Sequence, residues 1–209
     1  MAGGERRLAW LMLLAAAPLP PRQGLFDRSN DHCQAESMTQ TQDATRSRTF
    51  SWSDPSINAT QVGRRSGLEL LRAMIAGELA APPVMHLIDM TRMAADEGRV
   101  VVELEPQEFH YNPLGTVHGG VLSTLLDTAA ACAVHTTLPA GVGYTSLDLN
   151  VKFLRPVTVD SGTLRCEGTV LQSGRRTALA QARLTDGRSR LVAHATSTCL
   201  LMPLAPPTD

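Results

Sequence analysis

The fold is decided by residues 119–138, which read GGVLSTLLDTAAACAVHTTL. Nearly every side chain in this stretch is apolar or small, and a proline and a glycine close it at residues 139–141. A helix that is apolar nearly all round lies buried in its protein. Asp127 is its only charged residue, and burial of a lone carboxylate is costly unless a partner or a reaction uses it. The stretch therefore predicts a long central helix that carries one candidate functional acid.

Two strands and a shorter helix are predicted before this central helix. Residues 66–79 place leucine and isoleucine at helical spacing after a serine able to cap the helix, and two prolines end the pattern. Residues 84–93 are predicted as a first strand and residues 99–105 as a second, with the turn residues Asp-Glu-Gly between them. The loop HYNPLGTVHGG at residues 110–120 then leads into the central helix.

Four strands are predicted after the central helix. Apolar and polar residues alternate at residues 144–154, 164–170, 177–184 and 190–200. In the first of these strands Leu147 and Phe153 fall on the apolar face. Consecutive strands joined by short turns indicate an antiparallel meander, and its apolar face needs a cover that the central helix can supply. The predicted fold class is α+β, an antiparallel curved sheet wrapped around a long central helix.

The composition limits the number of domains and excludes several classes of function. The 209 residues are 43% hydrophobic and 19% charged, with a formal net charge of −1, which fits neither a basic nucleic-acid surface nor an acidic disordered tail. Aromatic residues make up only 4%, which further disfavours stacking on nucleic-acid bases. We expect one domain at residues 64–202, a poorly ordered or signal-like N-terminal extension at residues 1–63, and a C-terminal tail at residues 203–209.

The cysteines offer no metal-binding or disulfide pattern. Cys33, Cys132, Cys166 and Cys199 are far apart in the sequence, and none forms a Cys-x-x-Cys pair. Three of them lie in apolar runs, where a free thiol packs as a small core residue. We therefore expect a reduced protein without a metal site.

The start of the chain carries a signal-like pattern. Arg6 and Arg7 precede an apolar run at residues 8–17, and prolines follow it. This run is too short to span a bilayer, which takes about 20 residues. A translation start at Met38 would explain such a leader equally well, and the polar residues 18–63 have no core pattern. We expect a cytoplasmic protein with no stable membrane insertion, and export is the alternative.

His118, Gly119 and Gly120 stand at the start of the central helix. The first backbone N–H groups of a helix have no internal partner and lie at the positive end of its dipole. Two glycines there allow the close approach of an anion or a polarised carbonyl, as an oxyanion hole requires. Asp127 lies two turns further on, so a carbonyl held at the helix end could come within reach of a carboxylate, particularly that of a partner subunit. The alternative is that Asp127 pairs with an arginine and His118 is structural.

Taken together, several motifs resemble one family. Asn112, the His118-Gly119-Gly120 run and Asp127 follow one another in a defined spacing, and the motifs FLRP at residues 153–156 and SGRR at residues 173–176 come later. This combination resembles the hotdog-fold thioesterases of the PaaI type, relatives of 4-hydroxybenzoyl-CoA and phenylacetyl-CoA thioesterases. The resemblance covers residues 66–201, and the order of predicted elements agrees with the fold of that family.

The resemblance implies a role for each residue of the first motif. Asp127 matches the catalytic carboxylate, which acts as a general base on water or as a nucleophile on the thioester carbonyl. Gly119 matches the backbone donor that polarises the carbonyl, and Asn112 matches the side-chain amide that orients substrate or water. His118 matches the histidine before the glycine, which supports the geometry of the loop and is a candidate contact for the thioester sulfur.

The resemblance also implies residues that position water and bind coenzyme A. Either Thr145 or Ser146 matches the hydroxyl that positions water. The residues that match the family's contacts with the nucleotide and its phosphates are Arg155, Ser173, Gly174, Arg175 and Arg176. Arginine forks and turn N–H groups suit phosphate oxygens. The alternative is that these arginines are solvated turn residues. Sites of the family lie between subunits, so we expect a homo-oligomer, a dimer of hotdogs and a tetramer built from it.

The function implied is hydrolysis of an acyl-CoA thioester to free acid and CoA, with CoA as part of the substrate and no separate cofactor. We expect a pocket lined by small and aliphatic side chains of the central helix and its dimer partner, which suits an aryl or an aliphatic acyl group. One alternative is a hotdog hydratase or dehydratase of enoyl thioesters, although its relatives follow the histidine with a proline-glycine bend, and His118 precedes two glycines. Another is a non-catalytic acyl-CoA-binding module, for which the buried carboxylate of Asp127 would have no use.

Overall fold

The computed structural model describes residues 45–204, and eleven elements of regular structure lie there. The helices are α1 (Ser56–Ala59), α2 (Gly67–Ile75), α3 (Pro83–Leu87) and α4 (Gly119–His135). The strands are β1 (Met90–Asp96), β2 (Arg99–Leu104), β3 (Val142–Ser146), β4 (Asn150–Phe153), β5 (Leu164–Ser173), β6 (Thr177–Thr185) and β7 (Leu191–Pro203). Short 3-10 turns lie at Glu108–His110 and Val159–Ser161.

Several features of the sequence lie outside the described residues. They are the signal-like run at residues 8–17, Cys33, Met38 and the end of the tail from residue 205. Within residues 45–204, no helix has the length and apolar character needed to cross a bilayer. The compact unit that holds all eleven elements begins at Arg48, sixteen residues before the predicted start at residue 64. Its early segment is attached because Arg48 donates to the carbonyl of Leu87, and Asn58 donates to the carbonyl of Ala80.

The predicted sheet around a central helix is confirmed. All strand pairs are antiparallel, the order is β1-β2-β5-β6-β7-β3, and β4 also pairs with β7. Helix α4 packs on the apolar face of this sheet, with Leu125, Leu126, Ala129 and Ala130 fully buried. Gly168 of β5 permits this close contact, because a Cβ there would lie 2.0 Å from the Ala129 carbonyl oxygen. Alanine, valine and leucine side chains therefore build most of the core.

The prediction of a strand at residues 84–93 is wrong in its first half. Pro83 occupies the first turn of α3, where a missing N–H costs nothing, and the helix continues to Leu87. Asp89 then adopts a left-handed φ of 58°, and the strand begins at Met90. The predicted helix at residues 66–79 also ends early, at Ile75, because Gly77 turns the chain with a φ of +75°.

The single strand predicted at residues 144–154 is in fact two strands. Between β3 and β4, the Asp148 carboxylate accepts a hydrogen bond from the Thr198 N–H at 3.1 Å, and its carbonyl accepts one from the Ser197 hydroxyl at 2.8 Å. These bonds interrupt the ladder with β7, and Leu147 and Phe153 are more than half exposed rather than buried. The predicted meander therefore holds for β5, β6 and β7, while β3 and β4 both pair with β7.

Candidate active site

Asp127 lies in the middle of α4 and is half-buried. Its Oδ1 accepts a hydrogen bond from the Ser146 hydroxyl of β3 at 3.2 Å. None of the ion pairs among residues 45–204 includes Asp127. Within these residues Asp127 is therefore not paired with an arginine, which was the alternative interpretation. A carboxylate held by one hydroxyl keeps acceptor capacity for a water molecule or a substrate.

The structure distinguishes the two hydroxyls that the sequence leaves open. Successive side chains of a strand point to opposite faces, and the Ser146 side chain of β3 reaches α4. Tyr144 lies on the same face, with its ring 5.0 Å from the His135 ring of α4. Thr145, between them, points away from α4. Ser146 is therefore the residue of this pair that lies beside Asp127.

A cavity of about 680 Å³ opens beside Asp127. Helix α4 contributes one wall, and α2, α3 and β1 contribute the others. Its apolar lining consists of Leu71, Met74, Ile75, Ala81, Pro82, Val84, Met85, Met90, Met93 and Ala131. The wall from α4 was expected from the sequence, but the methionines were not. Their clustering in the sequence between residues 74 and 93 is the signal that could have indicated an adaptable apolar surface.

Cys132 and Tyr144 form a neutral inner wall of this cavity. Burial raises the pKa of the Cys132 thiol to about 12. Burial also raises the pKa of the Tyr144 hydroxyl well above its ordinary value. Both side chains are uncharged at neutral pH, so this wall suits an apolar group.

A histidine side chain caps the start of α4. The Nδ1 atom of His118 accepts a hydrogen bond from the Gly120 N–H at 2.8 Å and thereby caps the helix. The N–H of Gly119 has no acceptor among residues 45–204 and remains available to a ligand. A Cβ on Gly119 would lie 3.1 Å from Cζ of Phe153. His118 therefore shapes the loop, and Gly119 offers a backbone donor.

Asn112 uses its amide within its own loop. Its Oδ1 accepts the N–H groups of Leu114 at 2.9 Å and Thr116 at 3.3 Å, and its Nδ2 donates to the Thr116 hydroxyl at 3.0 Å. The side chain also lines a second cavity of about 370 Å³, together with Gly119 and Arg155. Asn112 thus stabilises the loop that presents Gly119.

The candidate residues for coenzyme A are separated in the structure. Arg155 lines the second cavity and donates from its Nη1 to the Leu191 carbonyl at 2.5 Å. The β5–β6 turn is exposed and is closed by the Gly174 N–H donating to the Thr177 carbonyl at 2.8 Å. Ser173, Gly174, Arg175 and Arg176 line none of the three cavities described among residues 45–204.

Gly119 and Asp127 of one chain do not meet. Eight residues of helix separate them, which is about 12 Å along the axis. Gly119 lines the second cavity, and Asp127 lies between the first cavity and a third of about 380 Å³ that Ser123 and Ser146 also line. One copy therefore cannot place both groups on the same carbonyl. Within the described residues, no cluster of histidine, cysteine and acidic side chains could hold a metal ion.

Comparison with known proteins places this fold in a family. The model of the thioesterase superfamily matches residues 114–193. The crystal structure of the phenylacetic acid degradation-related protein of Ralstonia eutropha JMP134 is similar at 31% identity and a TM-score of 0.56, covering 62% of this chain and 97% of that one. The chain belongs to the thioesterase superfamily. The hotdog fold and the PaaI-type resemblance are thereby confirmed.

Two further relatives of this thioesterase bear on its site. Human acyl-coenzyme A thioesterase 13 is 29% identical over 110 residues, which is 52% of this chain and 77% of the human protein. The structure of smu.793 from Streptococcus mutans, bound to acetyl CoA, is 25% identical with a TM-score of 0.50, covering 55% of this chain and 90% of that one.

Proposed function

We propose that this thioesterase hydrolyses acyl-CoA thioesters to the free acid and CoA with Asp127 as its catalytic carboxylate. The observation that carries the proposal is a half-buried carboxylate, held by a single hydroxyl, at the end of an apolar cavity. The resemblance to an acyl-coenzyme A thioesterase and to a protein bound to acetyl CoA supports CoA as the thiol part of the substrate.

The chemistry needs few groups because a thioester is already activated. The apolar acyl group occupies the first cavity, and its carbonyl lies between Asp127 and a backbone N–H donor. Ser146 orients Asp127 and a water molecule, and the tetrahedral oxyanion accepts a hydrogen bond from the N–H of Gly119. Collapse of this intermediate breaks the C–S bond. The CoA thiolate takes up a proton that originates from the attacking water.

Two routes use the same carboxylate. As a general base, Asp127 removes a proton from the attacking water. As a nucleophile, it forms a mixed anhydride that water then hydrolyses. A single turnover in oxygen-18 water, followed by mass analysis of the protein, tests for the nucleophilic route. Label in Asp127 would establish that route, because only attack of water on the anhydride at the aspartyl carbon places it there. Label confined to the product acid fits the general-base route and also attack on the anhydride at the acyl carbon.

The site requires two copies of the chain. Gly119 and Asp127 of one copy are about 12 Å apart along α4, so the oxyanion donor comes from the second copy. Leu147, Phe153 and Leu154 lie in or close to β4, and their apolar side chains are exposed. They suit the contact surface of such a dimer of hotdogs. A tetramer built from these dimers stays a prediction.

A complementation experiment tests this division of labour. Gly119→Pro removes the N–H donor at the first helical position, where proline is well tolerated. Gly119→Ala is the matched control, because it adds a Cβ near Phe153 but keeps the N–H. We expect Asp127→Asn and Gly119→Pro to be inactive separately. Co-expressed, they should recover about a quarter of wild-type turnover, because half of the dimers are mixed and each mixed dimer holds one complete site. No recovery would contradict a shared site.

Arg155 and the turn formed by Ser173, Gly174, Arg175 and Arg176 are proposed to bind the phosphates of CoA. Arginine forks and turn N–H groups suit phosphate oxygens, and the exposed side chains of this turn leave them accessible.

The free thiols of Cys132, Cys166 and Cys199 fit a reducing compartment and support a cytoplasmic location.

A further inference from the structure

The outer wall of the first cavity is α3, a helix of five residues. Val84, Met85 and His86 of α3 line the cavity, while Leu87 does not and is 51% exposed. Isolated helices this short are unstable in water, so other parts of the chain must hold α3 in place.

Arg48 fastens the end of α3. Its Nη1 donates to the Leu87 carbonyl at 2.6 Å, and its Nη2 donates to the His86 carbonyl at 2.7 Å. The same guanidinium lies 3.6 Å from the Asp89 carboxylate and 4.2 Å from the centre of the Phe109 ring. The guanidinium thereby satisfies carbonyls that the end of a helix leaves without internal partners.

His110 completes this attachment. It is 3% exposed, its Nδ1 accepts the Gln107 N–H at 3.0 Å, and its Nε2 lies 2.9 Å from the Ile88 carbonyl. Because Nδ1 is an acceptor, the proton lies on Nε2 and is donated to Ile88. The carbonyls of residues 86, 87 and 88 are therefore all held by side chains from elsewhere in the chain.

We propose that this cavity binds the hydrocarbon chain of medium- and long-chain aliphatic acyl groups, and that Arg48 is a positioning residue that holds α3 closed over that chain. The proposal rests on the proposed function, because it assigns the acyl group that is cleaved beside Asp127. Arg48 itself does not line the cavity, so it acts through α3.

The lining favours a flexible chain over an aryl group. Met74, Met85, Met90 and Met93 are unbranched and adapt to an irregular ligand. Of the lining residues only Tyr144 carries a phenyl ring, so the cavity has no second phenyl ring that would stack on a planar group from the opposite side. A volume of about 680 Å³ would be left mostly empty by an acetyl group. Burial of each added methylene should therefore raise kcat/KM, by roughly fourfold until the cavity is filled.

The test compares two tryptophan variants on the same helix. Met85→Trp fills the cavity, and Leu87→Trp adds the same side chain to a surface position outside it. The readouts are the ratio of kcat/KM for decanoyl-CoA to that for acetyl-CoA, and the calorimetric Kd of S-decyl-CoA, a thioether that cannot be hydrolysed. We expect Met85→Trp to lower the ratio and weaken S-decyl-CoA about tenfold or more, and Leu87→Trp to change both less than twofold. Equal effects of the two variants would overturn the proposal.

Arg48→Ala tests the attachment of α3, with the exposed Arg183→Ala of β6 as its control. We expect Arg48→Ala to lower the decanoyl to acetyl ratio about tenfold through the KM for decanoyl-CoA, with its kcat maintained, and Arg183→Ala to leave the ratio unchanged. A fall of kcat on both substrates without a change of ratio would overturn the positioning role.

The wild-type protein separates this proposal from the proposed function. Tight S-decyl-CoA binding without thiol release from any acyl-CoA would refute hydrolysis and leave the assignment of the cavity standing. Thiol release that is faster with phenylacetyl-CoA or acetyl-CoA than with decanoyl-CoA would refute the assignment and leave hydrolysis standing.

Discussion

Ser146 and Thr145 are adjacent hydroxyl residues with different surroundings, which makes them a matched pair for mutation. Only Ser146 donates to Asp127, at 3.2 Å. We expect Ser146→Ala to lower kcat by about tenfold or more, because a hydrogen bond to a charged group is lost, and Thr145→Ala to retain most of the activity. Steady-state thiol release measures both. A larger loss in Thr145→Ala than in Ser146→Ala would show that Thr145 positions the water.

Single residues also show what the sequence can predict about a site. Asp127 stands out in the sequence because it is the only charged residue of an apolar helix. In the structure it lies beside Ser146 and lines an apolar cavity. The choice between Thr145 and Ser146 depends on which face of β3 meets α4. The sequence pattern does not show this face, because the strand is interrupted at Asp148. The methionine-lined cavity depends on how α2 and α3 fold over β1, and no local pattern specifies that packing.

At the scale of elements, the contact of α4 with β5 depends on Gly168. A Cβ there would lie 2.0 Å from the Ala129 carbonyl oxygen, so the helix must move away from the sheet. We expect Gly168→Ala to lower the free energy of unfolding by about 2 to 3 kcal/mol. Thr169→Ala, one residue further along β5, should lower it by less than about 1 kcal/mol. Urea unfolding followed by circular dichroism compares them, and similar values for the two variants would contradict the close packing.

The errors in predicted elements have long-range causes. Asp148 interrupts the β3–β4 strand because it bonds to Ser197 and Thr198, about fifty residues away in the sequence. Helix α3 replaces half of a predicted strand because Pro83 favours a first helical turn and Arg48 stabilises the last one. The hairpins of β5, β6 and β7 were predictable because alternation and turn residues are local signals.

At the scale of the whole molecule, stability should depend on the protonation of His110. Burial lowers the pKa of His110, Arg48 lowers it further, and the Ile88 carbonyl and Asp89 oppose the shift. Burial also lowers the pKa of His135. A histidine whose pKa is lower in the folded state contributes its full stability above about pH 6.5, and that contribution is lost as the pH falls through the folded-state pKa.

We therefore expect the free energy of unfolding to decrease between pH 7 and pH 5. The variant His110→Gln should be less stable at pH 7 and show a smaller decrease, while His135 maintains part of the dependence. Urea titrations across this range measure both effects. An identical pH dependence in His110→Gln and the wild type would show that His110 does not contribute.

In the proposed dimer, one chain supplies the acyl cavity and Asp127, and a second copy supplies Gly119. The order of predicted elements gave a curved sheet around a central helix, and the motif resemblance identified this arrangement as the hotdog fold. The distance between Gly119 and Asp127 along one helix is the observation that supports the proposed second copy.

The most direct measurement of the central claim is thiol release from a panel of acyl-CoAs by the wild type and Asp127→Asn in parallel. The variant nearly preserves the shape of the side chain and its hydrogen bond from Ser146, but it removes the base or nucleophile. We expect the same fold by circular dichroism and a turnover at least about a hundredfold lower. Thiol release by Asp127→Asn at a rate close to that of the wild type would contradict the assignment of Asp127 as the catalytic carboxylate.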